Sequence, residues 1–209
     1  MESKGFSIGV LVKKGWALMK EHIGTYIGFL IVYLVFMCIP GFVSGVFPDL
    51  HVGLQVLIQV VSAILAIVVF IGVYKISLKA VDGVSPSFTD LFSGFKIIIQ
   101  WIIATIFYAI IVMVGTILLV FPGVIWGAKY FVWPFVMIDK GVGPIKALEM
   151  SSDLTMGTKW DVFMMMFVST VIVFLGLMIV FVGWFAALPV TLLAQAAMYR
   201  LLESQKETM

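Results

Sequence analysis

The chain has 209 residues, 63% of them hydrophobic and only 11% charged, with a formal net charge of +2. A soluble domain carries roughly 25% charged residues, so lipid rather than water must be the main solvent. The small net charge excludes a nucleic-acid partner, and the length admits one polytopic membrane domain over 1–209. Cys38 is the only cysteine; it excludes an intrachain disulfide and reads as a small buried hydrophobe.

Residues 1–22 carry Glu2, Lys4, Lys13, Lys14, Lys20 and Glu21, with no short apolar core before a small-residue cleavage site. No cleavable signal peptide is expected there. Instead Ile8, Leu11, Val12, Gly15, Leu18 and Met19 fall on one helical face and predict an amphipathic helix. The first span is predicted over 23–47, with Pro40-Gly41 ending or kinking it. A second span follows over 52–74. Ser87, with Asp90 three residues on, reads as a capping box for a second amphipathic helix. Its apolar residues are Phe88, Leu91, Phe92 and Phe95. The third span, 97–121, stops at Pro122-Gly123, and 123–138 makes a short fourth that contains Lys129 and Pro134. Pro144, Ile145 and Leu148 give a weaker third amphipathic segment. The fifth span covers 162–182, and the sixth, 183–199, is short and contains Pro189 and Gln195. In hydrocarbon every backbone polar group needs an internal partner, and alternating strand patterns are absent, so these spans are helices.

Basic residues orient the bundle. With both termini cytoplasmic, the inner segments hold Lys4, Lys13, Lys14, Lys20, Lys75, Lys79, Lys96, Lys140, Lys146, Lys159, Arg200 and Lys206. The outer connections at 47–51, 121–123 and 181–183 hold none, which meets the positive-inside rule. The expected location is the cytoplasmic (inner) cell membrane, multi-pass. The expected fold is all-α: six transmembrane helices in three hairpins, each preceded by a cytoplasmic amphipathic interfacial helix. That pattern is a threefold internal repeat over about 6–83, 84–141 and 142–203, with Asp82-Gly83 and Asp139-Lys140-Gly141 closing the first two units. Lys13, Lys14, Lys20, Lys96, Lys146 and Lys159 are placed to meet lipid headgroups.

Catalytic signals are missing. His22 and His51 fall on opposite sides of the membrane, and the spans contain no aspartate or glutamate. The inner carboxylates are interleaved with lysines, as in a solvated interfacial ring. No enzyme, cofactor or metal site is therefore expected. Lys129 is the main intramembrane candidate, since a charge at mid-membrane costs about 2.5–3.5 kcal/mol on insertion scales. It lies roughly 9 Å from the outer turn, counted at about 1.5 Å per residue. Three readings stay open: outward snorkelling, a polar cavity or anionic-ligand contact, and a proton relay. Tyr130, Gln195 and Tyr199 are the polar neighbours such a cavity would use. Pro40, Pro134 and Pro189 are expected helix kinks. Pro134 should free the Tyr130 carbonyl and Pro189 that of Phe185. Short interrupted spans at matching positions are a sign of a transporter site, but prolines that merely kink the spans for packing are the favoured explanation. Gly24/Gly28, Gly41/Gly45 and Gly123/Gly127 have the spacing that lets helices approach closely.

Several local features together resemble a known family. They are Trp16, Lys79-Ala-Val-Asp-Gly83 before Pro86, Phe121-Pro-Gly123, Asp139-Lys-Gly141, Ala147-Leu-Glu-Met-Ser151-Ser152 and Ala-Met-Tyr199-Arg-Leu. The chain looks like the six-span membrane domain fused to some bacterial glycerophosphodiester phosphodiesterases, and its stand-alone relatives. The resemblance implies topology and carries over no catalytic residue. The leading functional expectation is a non-enzymatic membrane protein that interacts with lipid at the cytoplasmic leaflet. A small-molecule transporter, or the membrane subunit of one, is the second reading, and a lipid-modifying enzyme using inner carboxylates is the third. Membrane lipids are the expected partners; a homo-oligomer or another membrane protein stays open.

Overall fold

A computed structural model describes residues 6–118, 120–178 and 182–207. Lys4 and Phe181, used above in the orientation argument, lie outside the described residues. The described residues are helical with no strand. The elements are α1 (Ile8–Glu21), α2 (Ile23–Val46), α3 (Val52–Val81), a 3₁₀ helix (Phe88–Lys96), α4 (Ile98–Leu118), α5 (Val120–Lys129), α6 (Trp133–Lys140), α7 (Pro144–Leu154), α8 (Lys159–Met178) and α9 (Val182–Glu207).

Six stretches are long and apolar enough to cross a membrane: α2, α3, α4, the α5–α6 pair, α8 and most of α9. Their burial divides them. In α2, α4 and α8 only 11%, 17% and 22% of the most apolar window is buried, against 39%, 50% and 67% in α3, α5–α6 and α9. The former are therefore peripheral and expose Ile31, Phe42, Ile106, Ile117, Phe167 and Phe174. The latter form the centre. With no charge to solvate, exposed apolar faces of this extent suit hydrocarbon rather than water.

Helix α2 packs on α3, α4 on α5, and α8 on α9. The shorter amphipathic helices pack on a different neighbour. Helix α1 lies on α9, the 3₁₀ helix on α3, and α7 on α6. The 3₁₀ helix runs back along α3, with Asp90 beside Lys75 and Lys79 and Gly94 against the Val68 backbone. An aromatic chain ties the centre together: Phe29, Tyr33, Phe70, Tyr74 and then Trp101 and Phe135, with ring centroids 5.1–6.4 Å apart. Trp133 packs tilted against Trp101, and Tyr199 stacks on Phe135.

Several boundaries differ from the sequence expectation. Helix α2 continues through Pro40 to Val46. Losing one hydrogen bond costs less than opening several more carbonyls where no water can satisfy them. The second span extends to Val81, so Lys75 and Lys79 are helical. Phe121-Pro122-Gly123 is the first turn of α5 rather than a loop, a position proline tolerates because that amide has no helical partner. The sixth span is not short: α9 has 26 residues and contains Pro189 within it. Cys38 is exposed on the lipid-facing side of α2 rather than buried.

Of the expected glycine pairs, Gly123/Gly127 supplies one close approach, at Gly123, and the others arise elsewhere. A Cβ on Gly24, Gly41 or Gly45 would meet nothing within 4 Å. The tight contacts are Gly15 on Val190, Gly72 on Leu91, Gly94 on Val68, Gly115 on Gly123 and Gly176 on Gly183. Gly15, Gly72 and Gly94 each meet a residue on another, distant helix, so a regular spacing is a poor guide to them. The expected face of α1 does pack inward: Leu11, Gly15 and Met19 are buried. In the 3₁₀ helix Asp90, Leu91 and Gly94 are buried, while Phe88, Phe92 and Phe95 remain exposed. The tighter winding puts residues three apart in line, so Leu91 and Gly94 share the α3 side while Phe92 and Phe95 share another.

Candidate functional site

Two polar assemblies sit where the central helices end. The first arises from the break between α5 and α6. Pro134 at the start of α6 cannot donate a backbone hydrogen bond, and it restricts the residue before it. The chain turns at Tyr130–Val132. The Tyr130 carbonyl accepts from the Trp133 amide at 3.3 Å, so it is not the free group expected from sequence. The carbonyl rescued by side chains is that of Lys129. Thr155 donates its hydroxyl to it at 2.8 Å and Ser151 approaches at 3.4 Å, both from α7 and the turn after it. Hydroxyls thereby satisfy the broken helix end that lipid could not. Tyr108 adds a hydrogen bond to the Gly127 carbonyl at 3.2 Å.

The side chain of Lys129 lines a cleft of about 410 Å³ with Phe107, Ile111, Tyr130, Ile145, Leu148, Glu149, Ser152 and Asp153. Its ammonium lies 4.9 Å from the centre of the Tyr130 ring. The cleft faces α7 and its carboxylates. Lys129 is thus drawn toward the lysine-rich end of the bundle, not toward the α4–α5 connection as the snorkelling reading had it. Gln195 lies elsewhere. It lines a mostly apolar cleft of about 500 Å³ with Tyr74, Phe131, Ser169 and Thr191. Among the described residues the buried Ser169 hydroxyl finds no hydrogen-bond partner there. Tyr199 is fully buried and donates to Asp139 at 2.9 Å. The four proposed polar residues therefore occupy three places, with only Lys129 and Tyr130 together.

The second assembly is centred on Arg200. Its Nε reaches Asp82 Oδ1 at 2.7 Å, and one terminal nitrogen reaches Asp139 Oδ1 at 2.7 Å. The other donates to Glu203 at 2.8 Å. Lys140 bridges Asp139 at 3.3 Å and also pairs with Glu203. The planar guanidinium suits this role because its fixed fork can satisfy several carboxylates at once. Sequence reasoning treated Asp82 and Asp139 as turn-closing acids and missed Arg200 as their common partner. The available signal was position: all three follow a central span.

Asp90 forms a smaller cluster. It accepts from Lys79 at 2.7 Å and from the Ser87 amide at 3.0 Å, and pairs with Lys75 at 3.1 Å. The capping box with Ser87 is present as expected. Burial pushes the Asp90 carboxyl up, but the hydrogen bonds from Lys79, Ser87 and Lys75 outweigh it and hold it below the usual range.

All six headgroup candidates, Lys13, Lys14, Lys20, Lys96, Lys146 and Lys159, are exposed. Pro40 and Pro189 lie within helices, and Pro134 opens one. Among the described residues no group of three or more His, Cys, Asp or Glu side chains is placed to hold a metal ion. No known family model, curated protein or solved structure matches this chain.

Proposed function

We propose that this integral membrane protein is a non-enzymatic, lipid-interacting module, with its lysine-rich end and both termini at the cytoplasmic leaflet. One observation carries the reading. Exposed lysines stand next to exposed aromatics along the chain: Lys13 and Lys14 near Trp16 on α1, Lys96 beside Phe95 in the 3₁₀ helix, and Lys159 beside Trp160 at the start of the span α8. Side chains of that pairing sit at a headgroup boundary, ring toward the acyl chains and ammonium toward phosphate. The contact order supports a threefold repeat behind this arrangement. Each amphipathic helix packs on the second span of the preceding hairpin, and α1 closes the ring on α9. The resemblance to the phosphodiesterase-associated membrane domain is compatible with such a role and supplies no chemistry of its own.

Native mass spectrometry of the protein with mixed anionic and zwitterionic lipids tests the proposal. Anionic lipid at the surface helices should be retained preferentially at low salt and lost as salt rises, because the attraction is worth about 1 kcal/mol per basic residue and is screened. A Lys13/Lys14/Lys20→Gln variant should retain less of it. Salt-independent, equal retention of all lipids would defeat the reading.

A second reading, small-molecule transport, draws on the helix break after Lys129 and the cleft beside it lined by Phe131, Gln195 and Ser169, whose buried hydroxyl has no partner among the described residues. Substrate-dependent flux in proteoliposomes that is lost in Gln195→Leu would favour it.

A further inference from the structure

The Lys129 cleft has a charge pattern that the surface lysines lack. It contains one ammonium, that of Lys129, 4.9 Å from the centre of the Tyr130 ring. Among the described residues no carboxylate lies within 4.0 Å of it. The same cleft is lined by Glu149 and Asp153 of α7, beyond that ion-pairing distance. Among the described residues each carboxylate pairs with one exposed lysine, Lys146 at 3.2 Å and Lys206 at 3.4 Å, with all four side chains about half exposed or more. Exposed pairs of this kind are weak and exchangeable. The cleft thus offers a positive group in a region of low dielectric and two negative groups nearer water. Ser152 also lines it.

Its walls identify the rest of the ligand. Phe107 is 41% exposed and Ile145 62% exposed. Both are on faces available to acyl chains. A purely anionic headgroup would satisfy Lys129 but would then lie beside two carboxylates. A free cation would satisfy the carboxylates and be repelled by Lys129. A head carrying phosphate and ammonium a few bonds apart complements both charges, and acyl chains complement the wall.

We propose that this cleft binds one zwitterionic glycerophospholipid, phosphate toward Lys129 and primary ammonium toward Glu149 and Asp153. The proposal rests on the lipid-interacting reading above and specifies a separate, built site. Its occupant also supplies the counter-charge that a lysine at a helix break in the membrane otherwise lacks.

The test uses the full chain in detergent, with equimolar phosphatidylethanolamine and phosphatidylglycerol, read by native mass spectrometry. The wild type should keep one phosphatidylethanolamine at activation energies that strip other adducts. Lys129→Met should lower its retention by about tenfold or more, as loss of one charge-assisted contact implies, and Lys129→Arg should keep it. The Glu149→Gln/Asp153→Asn double variant, at exposed positions where folding is not at stake, should change the preference toward phosphatidylglycerol. That reversal is not something a merely structural role for Lys129 would give. Unchanged selectivity in the double variant would overturn the proposal, as would displacement of the lipid by millimolar soluble phosphoethanolamine. Loss of anionic adducts in Lys13/Lys14/Lys20→Gln with unaltered phosphatidylethanolamine retention in Lys129→Met would sink this site and leave the surface reading intact. The converse result would do the opposite.

Discussion

Arg200 binds together segments that are far apart in sequence, and its removal makes a quantitative test of how the bundle is closed. Arg200→Met keeps the aliphatic stem and deletes the guanidinium. Asp82, Asp139 and Glu203 then lose their common donor, and Lys140 is the cation left within the cluster. Two carboxylates about 5 Å apart repel by about 3 kcal/mol at an effective dielectric near 20. The side chains are not sealed from water: Arg200 is 26% exposed, Asp82 34%, Asp139 16% and Glu203 15%. Solvent screening and outward relaxation of Asp82 should therefore remove roughly half of that, while lost hydrogen bonds add about 1 kcal/mol. The expected net destabilisation is about 2–3 kcal/mol. Thermal unfolding in detergent should register it as a Tm lowered by roughly 4–12 °C, given about 2–4 °C per kcal/mol at this chain length. Asp82→Asn should cost less by itself. The Asp82→Asn/Arg200→Met double variant should cost clearly less than the sum, since the two changes share one interaction. A Tm change under 1 °C for Arg200→Met, or strict additivity in the cycle, would refute the reasoning.

Gly72→Leu should be more damaging than its small size suggests, because any side chain there meets the backbone of Leu91. Overpacking of that kind costs about 1–3 kcal/mol or more, whereas Gly24→Leu, where a Cβ meets nothing within 4 Å, should be close to neutral in the same melt. Asp90 gives a pH signature. Its carboxyl is held below the usual range, so its stabilisation is fully present above the unfolded-state pKa of about 4 and is lost as the pH falls through the lower folded value. Melting curves of wild type and Asp90→Asn should differ at pH 6 and converge at the acid end; a gap that widens toward low pH would contradict the assignment. Cysteines at Pro48, Ser87 and Met156 in a Cys38→Ala background report topology. Pro48 should react with an impermeant thiol reagent in intact cells and the other two only after permeabilisation, and external labelling of Met156 would reverse the orientation proposed.

Much of the architecture was legible because a membrane makes its demands locally. Residues 52–74 had to be a helix wherever their neighbours lay, since hydrocarbon offers an unpaired amide nothing. The N-cap at Ser87 with Asp90, and the inward face Leu11, Gly15 and Met19, are likewise set within a turn or two of chain. Tertiary structure decided what depends on two distant segments at once. The Lys129 carbonyl is rescued by Thr155, and no local pattern says which hydroxyl will reach a broken helix end. Gly72 and Leu91 touch because α3 and the 3₁₀ helix cross there, while the regular Gly41/Gly45 spacing crosses nothing. Arg200 meets Asp82 and Asp139 because α3 and α6 end against the same stretch of α9, and Glu149 and Asp153 come to share a cleft with Lys129 because α7 folds back on α6. Hydrophobicity and charge count fixed each segment's solvent, whereas the pairing of polar groups inside the bundle followed only from how the helices pack.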